Sequence, residues 1–169
     1  METLWAPWRW QYIDGFKDEG SNKEKECFFC KAAENPALKS ELLVISQQSL
    51  SIVMLNRYPY NNGHLMIAPN RHISALNDAT DEELAQIMLT LPKCCKILEA
   101  AYSPHGFNIG ANIGRSSGAG VPGHLHFHIV PRWNGDTNFM TVFADVKVVS
   151  QSLDETQKIL SQKFELLSL

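Results

Sequence analysis

The sequence predicts an α+β fold in which a mainly antiparallel sheet carries one long helix packed on it and a second helix at the C-terminus. Two observations predict this class. Short apolar runs bounded by turn residues lie before and after a single long amphipathic segment. The early runs are joined by links of hairpin length, which suit antiparallel pairing. A chain of 169 residues can bury a core of its own, so we expect a single domain over residues 1–169 that begins with an irregular arm over residues 1–23.

Six strands are expected, three before the long helix and three after it. Their predicted ranges are 41–46, 50–55, 63–68, 106–114, 124–131 and 139–144. The turn residues between the second and third runs predict a hairpin with a long loop. Glycine and serine dominate the link between the fourth and fifth runs.

The long helix has a distinct start. Thr80 and Glu83 form a capping box, in which the hydroxyl of Thr80 and the carboxylate of Glu83 each accept from the other residue's N–H. Pro92 lies inside the apolar pattern and is expected to kink the helix or divide it. A last helix is expected from about Ser152. The stripe predicted to face the sheet comprises Leu84, Ile87, Met88, Leu91, Cys95 and Leu98.

Composition limits the possible partners. The net charge is −3, which argues against a dedicated duplex-DNA binder because such proteins need a basic face. No apolar run reaches transmembrane length, and the N-terminus lacks the basic start and apolar core of a signal peptide. We therefore expect a cytoplasmic protein with no nucleic-acid and no membrane partner.

Three of the six histidines, His124, His126 and His128, occupy every second position. On a strand this spacing puts the three imidazoles on one face and the apolar residues between them on the other. A solvated strand face normally uses Thr, Lys and Glu, so the repeated histidine indicates chemistry. Two interpretations remain open: a catalytic metal bound by three histidines, or one histidine acting as a nucleophile and oriented by its neighbours.

The loop before these histidines favours phosphate chemistry. Residues 116–123 contain three glycines and two serines, so their backbone N–H groups can turn toward an anion without obstruction by side chains. Ser117, Gly118 and Gly120 are the loop residues that we expect to contact a phosphate.

The four cysteines form two close pairs. Cys27 and Cys30 are spaced as C-x-x-C, which is found in zinc knuckles, in redox pairs and by chance in helical turns. A thioredoxin-like pair would follow a strand, whereas this pair precedes the strands. Cys94 and Cys95 point about 100° apart on a helix and are assigned to the core and its flank. His105 is expected in a turn.

Together these features resemble one known family. The run from His124 to Val130 matches the histidine-triad (HIT) pattern of alternating histidine and apolar residues. The segments Leu4 to Arg9, Leu55 to Leu65 and Pro131 to Asp136, together with the first cysteine pair, occur in the order found in bacterial members near the diadenosine tetraphosphate hydrolases and phosphorylases. The resemblance covers most of the chain and implies a HIT-like fold and a homodimer.

The resemblance also implies an activity on nucleotides. His126 would attack the α-phosphate of a dinucleoside polyphosphate or a related nucleotide and form a nucleotidyl-histidine intermediate, while His128 would bond the non-bridging phosphate oxygens. Asn56 would contact the nucleotide sugar, His64 would lie near the phosphate, and Asn112 would face the substrate. Metal-containing relatives imply a structural zinc with a closed set of four ligands. Those ligands would be Cys27, Cys30, His72 and His124.

One position departs from the family pattern. Many hydrolase members carry Gln four residues before the first triad histidine, where this chain has Gly120. Phosphorylase-type relatives place a Gly-Ser pair in this region, and this chain has Ala119 and Gly120 instead. The resemblance therefore leaves open whether water or inorganic phosphate ends the reaction. A purine nucleotide sensor with little turnover and a zinc hydrolase that uses all three triad histidines are the alternatives.

Overall fold

The structure is a computed structural model that describes residues 27–117, 120–136 and 149–167. Five strands and three α-helices lie within these ranges. The strands are Val44–Gln47 (β1), Ser51–Leu55 (β2), Leu65–Pro69 (β3), Gly106–Ala111 (β4) and Phe127–Arg132 (β5). The helices are Phe28–Glu34 (α1), Asp81–Tyr102 (α2) and Leu153–Leu166 (α3). Single 3-10 turns occur at Pro36–Leu38, Leu76–Asp78 and Arg115–Ser117.

The strands form one antiparallel sheet in the order β1-β2-β3-β5-β4. β5 is therefore an interior strand between β3 and β4, although it is the last strand that the structure describes. Its pairing places His128 opposite Met66 of β3 and opposite Gly110 of β4. This register carries the triad segment into the middle of the sheet, next to the hairpin that joins β2 to β3.

The sequence predicted the α+β class and the five described strands correctly, with longer bounds than the structure has. β5 begins at Phe127, not at His124, because its pairing with β3 ends where Phe127 meets Ile67. Just before that pair, the N–H of Leu125 donates to Ile73 O over 2.6 Å instead of to a neighbouring strand. The predicted strand over 139–144 and the arm over 1–23 lie outside the described residues.

The two faces of the sheet carry different cores. α2 and α3 cover one face, where the larger cluster of buried apolar side chains lies, and α1 covers part of the other. Ile129 of β5 belongs to the cluster under α2, whereas Met66 and Ala68 of β3 belong to the cluster with Phe29 of α1. None of the described helices is both long enough and apolar enough to cross a bilayer.

The buried face of α2 differs from the predicted stripe. Ile87 and Leu98 are buried as predicted, but Met88 is 46% exposed. Thr90 is buried instead, and its hydroxyl donates to Gln86 O and to the side chain of Gln48. Because these bonds satisfy a polar group inside the core, apolar periodicity alone could not place the stripe. Further buried positions on the helix are Cys94 and Ile97, with Leu91 and Cys95 packed partly buried against the same core.

At the start of α2, a buried glutamate is both part of a helix cap and the partner of a half-exposed arginine. Thr80 and Glu83 form the predicted capping box, and the Glu83 carboxylate also accepts from Arg71 Nε over 3.0 Å and from Arg71 Nη2 over 2.8 Å. The Arg71 guanidinium holds the pKa of Glu83 below its usual value. The helix then continues through Pro92 to Tyr102 and is not divided.

We expect Glu83→Ala to lower the free energy of unfolding by about 2 kcal/mol, because it removes both the cap bond and the partner of Arg71. Thr80→Ala should cost about 1 kcal/mol, since only the cap is lost. Glu155 occupies the equivalent third position of α3 but is exposed, so Glu155→Ala is the matched control. Urea denaturation measures all three free energies of unfolding. Equal losses of stability for Glu83→Ala and Glu155→Ala would contradict a special stabilising role for Glu83.

Candidate functional site

The site lies where the segment before β5 meets the β2–β3 hairpin and α1. His126 and His128 are neighbours there, with ring centroids 4.8 Å apart and ring planes at 75°. His64 of the hairpin lies beyond His128, and its ring centroid is 5.1 Å from that of His128. A second cluster, of cysteines and histidines, surrounds His124. The triad segment therefore lies between two groups of partners.

The backbone sets the tautomer of His126. Its Nδ1 lies 2.8 Å from the carbonyl oxygen of His124. A carbonyl oxygen can only accept, so Nδ1 carries the proton and Nε2 keeps its lone pair. The His126 side chain is 4% exposed, and burial lowers its pKa, against the opposing effect of that same backbone bond. His126 is thus a neutral imidazole with Nε2 as its nucleophilic atom.

The tautomer of His128 follows from a chain of hydrogen bonds. The N–H of Tyr60 donates to His64 Nδ1 over 3.0 Å, and the side-chain amide of Asn56 lies 3.4 Å from the same atom. His64 must therefore carry its proton on Nε2, which lies 3.0 Å from His128 Nδ1. His128 Nδ1 accepts that bond, so the free Nε2 of His128 carries a proton. His128 is an N–H donor directed away from His64.

Burial favours the neutral form of the triad imidazoles. Removal from water, and then the neighbouring His126, lower the pKa of His128 to about 4. Burial also lowers the pKa of His124. Both effects disfavour adding a positive charge to closely packed imidazoles. At neutral pH the site therefore presents directional donors and acceptors rather than imidazolium charges.

Two aromatic rings pack against the histidines. Phe29 of α1 is fully buried, and its ring centroid lies 5.0 Å from that of His124 and 5.2 Å from that of His126. Tyr60 packs on His64 at 4.7 Å and on His128 at 5.8 Å. Neither aromatic residue was predicted from the sequence to lie at the site. Their proximity in the sequence to Cys30 and His64 was the available signal.

The second cluster brings together the two cysteines and two histidines predicted to bind zinc. The ligand atoms of Cys27, Cys30, His72 and His124 all lie within 4.8 Å of one another. Cys27 Sγ and Cys30 Sγ are 3.2 Å and 3.6 Å from His124 Nδ1, and Cys30 Sγ is 3.2 Å from His72 Nδ1. A tetrahedral zinc with ordinary bond lengths separates its sulfur and nitrogen ligands by about 3.5 Å. The geometry therefore fits a small tetrahedral cation.

The second nitrogen of His124 orients this ligand. Its Nε2 lies 2.9 Å from Pro69 O and must be the protonated nitrogen, so Nδ1 is free to bind a metal. Burial, and next the neighbouring Cys27, raise the pKa of the Cys30 thiol to about 11. Thiols of this kind keep their protons at neutral pH unless a cation replaces them. Within the described residues, no cluster of metal-binding side chains contains all three triad histidines.

Comparison with known proteins identifies the family. The HIT domain family matches residues 37–135. An AP-4-A phosphorylase of Mycobacterium tuberculosis is 39% identical over 168 residues, which cover 97% of this chain and 85% of that protein. The chain belongs to the HIT family. This confirms the resemblance on which the expected site was based.

Solved structures confirm the HIT fold. A Zn-bound histidine triad family protein from Mycobacterium smegmatis has a TM-score of 0.67 at 22% identity and covers 85% of this chain and 96% of its own. A histidine triad nucleotide-binding protein from Sulfolobus tokodaii also has a TM-score of 0.67, at 27% identity, and covers 84% of this chain and 94% of its own. The described sheet and helices are thus those of a HIT domain.

Two asparagines were predicted to contact the substrate. Asn56 directly follows β2, and Asn112 directly follows β4. Asn56 adjoins His64, and its Oδ1 accepts the N–H of Tyr58 over 2.9 Å. Asn112 directly follows Ala111, the last residue of β4, which pairs with Phe127. Asn112 therefore lies near the N-terminal end of β5, which His126 immediately precedes in the sequence.

The phosphate loop is only partly described. Ser117 donates through its hydroxyl to Gly114 O over 2.7 Å, so this side chain is held locally. Gly120 is exposed, and a Cβ at this position would meet nothing within 4 Å. The departure from the hydrolase glutamine is therefore not imposed by crowding. Gly118, the third predicted loop contact, lies outside the described residues.

Proposed function

We propose that this chain cleaves a dinucleoside polyphosphate at the α-phosphate through a nucleotide covalently bound to His126. The observation that carries the proposal is the bond between His126 Nδ1 and the His124 carbonyl. This bond commits the Nδ1 proton to the protein, so the Nε2 lone pair is free for attack at phosphorus. A sensor that only binds nucleotides would not need this arrangement.

The reaction consists of two displacements at phosphorus. Nε2 of His126 attacks the α-phosphorus of diadenosine tetraphosphate, a P–N bond forms, and the bridging P–O bond breaks to release ATP. His128 donates its Nε2 proton toward the phosphate oxygens, where negative charge develops. In the second displacement an incoming oxygen attacks the same phosphorus and the P–N bond breaks. Inorganic phosphate then yields ADP, whereas water yields AMP.

Two observations support phosphate as the second nucleophile. The relative that is 39% identical over almost the whole chain is named as a phosphorylase. Gly120 leaves open space at the position where hydrolase members carry glutamine, so that side chain is absent from this site. We therefore favour phosphorolysis over hydrolysis. In this proposal Asn56 and Asn112 contact the nucleotide, and the backbone of residues 116–123 binds its phosphates.

We also propose that Cys27, Cys30, His72 and His124 hold a structural zinc. Four protein ligands close the tetrahedral set, which leaves no position for substrate. A zinc here would fix the ring of His124, and the carbonyl of the same residue orients His126. The metal would therefore support the nucleophile without taking part in the reaction.

A homodimer and a cytoplasmic location complete the proposal. β4 is an edge strand, and its exposed Ile109 and the following exposed Ile113 offer an apolar margin for pairing with a second copy. All four cysteines are free thiols, which suits a reducing compartment.

Continuous turnover of diadenosine tetraphosphate to ADP and ATP should require inorganic phosphate, and without phosphate at most one ATP per chain should be released. His126→Ala should lower turnover at least about 1,000-fold, because no other group can take the nucleotide. Chromatography of the products measures both, and quenched samples should contain an acid-labile nucleotide on His126 by mass spectrometry.

His126→Gly with added free imidazole is the control for that experiment. Restored turnover would show that only the nucleophile was missing, whereas a folding defect would not respond to imidazole. Near wild-type turnover by His126→Ala would sink the covalent mechanism. Tight binding of AMP with no product from any dinucleoside polyphosphate would favour the sensor instead.

Purified protein should contain one zinc per chain, and Cys30→Ser should lose most of it. Its unfolding midpoint should fall by about 5 °C or more, because bound metal stabilises only the folded chain. Cys95→Ser removes a thiol outside the cluster and is the matched control. Elemental analysis and thermal unfolding measure the two effects. A chelator that abolishes activity without changing the unfolding midpoint would instead indicate a catalytic metal.

In sedimentation experiments the chain should behave as a particle of twice 19.0 kDa. Ile109→Lys should shift it toward the monomer, because a charge on an edge strand opposes pairing with a second copy. Leu89→Lys changes a 71% exposed residue of α2 and is the control. A wild-type chain that sediments as a monomer at micromolar concentration would rule out the dimer.

A further inference from the structure

The turn after β5 carries a carboxylate that the reaction described above does not use. Asp136 closes a turn with Trp133, to whose carbonyl its N–H donates over 3.1 Å. Gly135 has a φ of +79°, which lets the chain fold back onto β5. The run from Pro131 to Asp136 is part of the resemblance to the bacterial branch, yet none of its residues has a role in the proposed chemistry.

Donors from two segments converge on this carboxylate. Arg132 contacts both oxygens, with Nε 2.6 Å from Oδ2 and Nη2 2.9 Å from Oδ1. The N–H of Trp133 donates to Oδ2 over 3.1 Å, and the side-chain amide of Asn61 donates to the same oxygen over 2.8 Å. The Asp136 side chain is 9% exposed and that of Arg132 is 44% exposed. The bonds from Trp133 and Asn61 are therefore better shielded from water than those from Arg132. These three partners are all donors, so they favour the charged carboxylate at this position.

The bond from Asn61 connects this carboxylate to the β2–β3 hairpin. The same amide group also donates to Pro131 O over 3.1 Å, so Asn61 fastens the hairpin loop to the end of β5. The backbone carbonyl of Asn61 accepts the N–H of His64 over 3.2 Å. At the end of the loop Gly63 has a φ of +73°, and a Cβ there would lie 2.9 Å from Leu98 Cδ2. The close packing of Gly63 against Leu98 therefore also holds the loop against α2.

This loop supplies the N–H that sets the tautomers of the site. Tyr60, the neighbour of Asn61, donates its backbone N–H to His64 Nδ1, and His64 Nε2 then bonds to His128 Nδ1. The bond from the Tyr60 N–H to His64 lies within the loop, whereas the bond from His64 to His128 joins the loop to the interior strand β5. A hydrogen bond between a loop and a strand keeps its length only if the loop is anchored to that strand.

We propose that Asp136 is a positioning residue for the histidine site: it holds Asn61, and through the hairpin loop it keeps His64 and His128 in one tautomer. This inference rests on the proposed function for its kinetic consequence only. Its structural part concerns imidazole protons that can be observed without substrate.

The experiment compares wild type with Asp136→Asn and Asn61→Ala. Asp136→Asn places an NH₂ group among donors, and Asn61→Ala removes the link from the loop side while leaving the ion pair of Arg132 with Asp136 intact. Long-range ¹H–¹⁵N spectra should show one tautomer of His128, protonated at Nε2, in wild type and a mixture in both variants. With diadenosine tetraphosphate and inorganic phosphate, kcat should fall about 10- to 100-fold, with KM changed less than about threefold.

Asn62→Ala is the matched control, because it changes the next residue of the same loop. It should keep the wild-type tautomer and kcat. The inference is overturned if both linked variants keep a single His128 tautomer and a kcat within twofold of wild type, whatever their unfolding midpoints. If wild type turns over no dinucleoside polyphosphate but the variants still lose the tautomer, the positioning role holds and the proposed function fails.

Discussion

The hydrogen bond from His126 Nδ1 to the carbonyl oxygen of His124 is the interaction on which the site depends. It joins two triad residues through the backbone, so the orientation of one ring follows the placement of the other residue. His124 is itself held at both ring nitrogens, by Pro69 O on one side and by the thiols of Cys27 and Cys30 on the other. We therefore expect a change at either cysteine to reach the ring of His126 through His124, without direct contact.

Backbone groups assign the proton on three of the buried imidazoles. A carbonyl oxygen can only accept and an N–H can only donate, so each such bond leaves a single neutral tautomer. Pro69 O fixes His124, His124 O fixes His126, and the Tyr60 N–H fixes His64, from which the tautomer of His128 follows. Burial supports this by lowering the pKa of the triad histidines. Cationic rings at these separations would repel each other and abolish the pattern.

Local sequence signals predicted much of the fold, and long-range pairing decided the rest. The capping box at Thr80 and the alternation through His128 depend on neighbours in sequence, so both could be read directly. The start of β5 depends on where its pairing with β3 ends, and the burial of Thr90 depends on Gln48, which is distant in sequence. The four residues proposed to bind zinc could be selected only through the family resemblance. No local pattern could reveal that His64 bonds His128 or that Asn61 bonds Asp136.

The triad segment is held from both flanks, which accounts for why the family resemblance extends far beyond three histidines. On one flank α1 and its N-cap residue contribute Phe29 and the two thiols near His124. On the other flank the hairpin loop contributes Tyr60 and His64 and is itself fastened by Asp136. Displacement of a reacting group by about 1 Å can cost 100-fold in rate. A change as far from His126 in sequence as Cys27 is therefore expected to alter the rate of the proposed reaction.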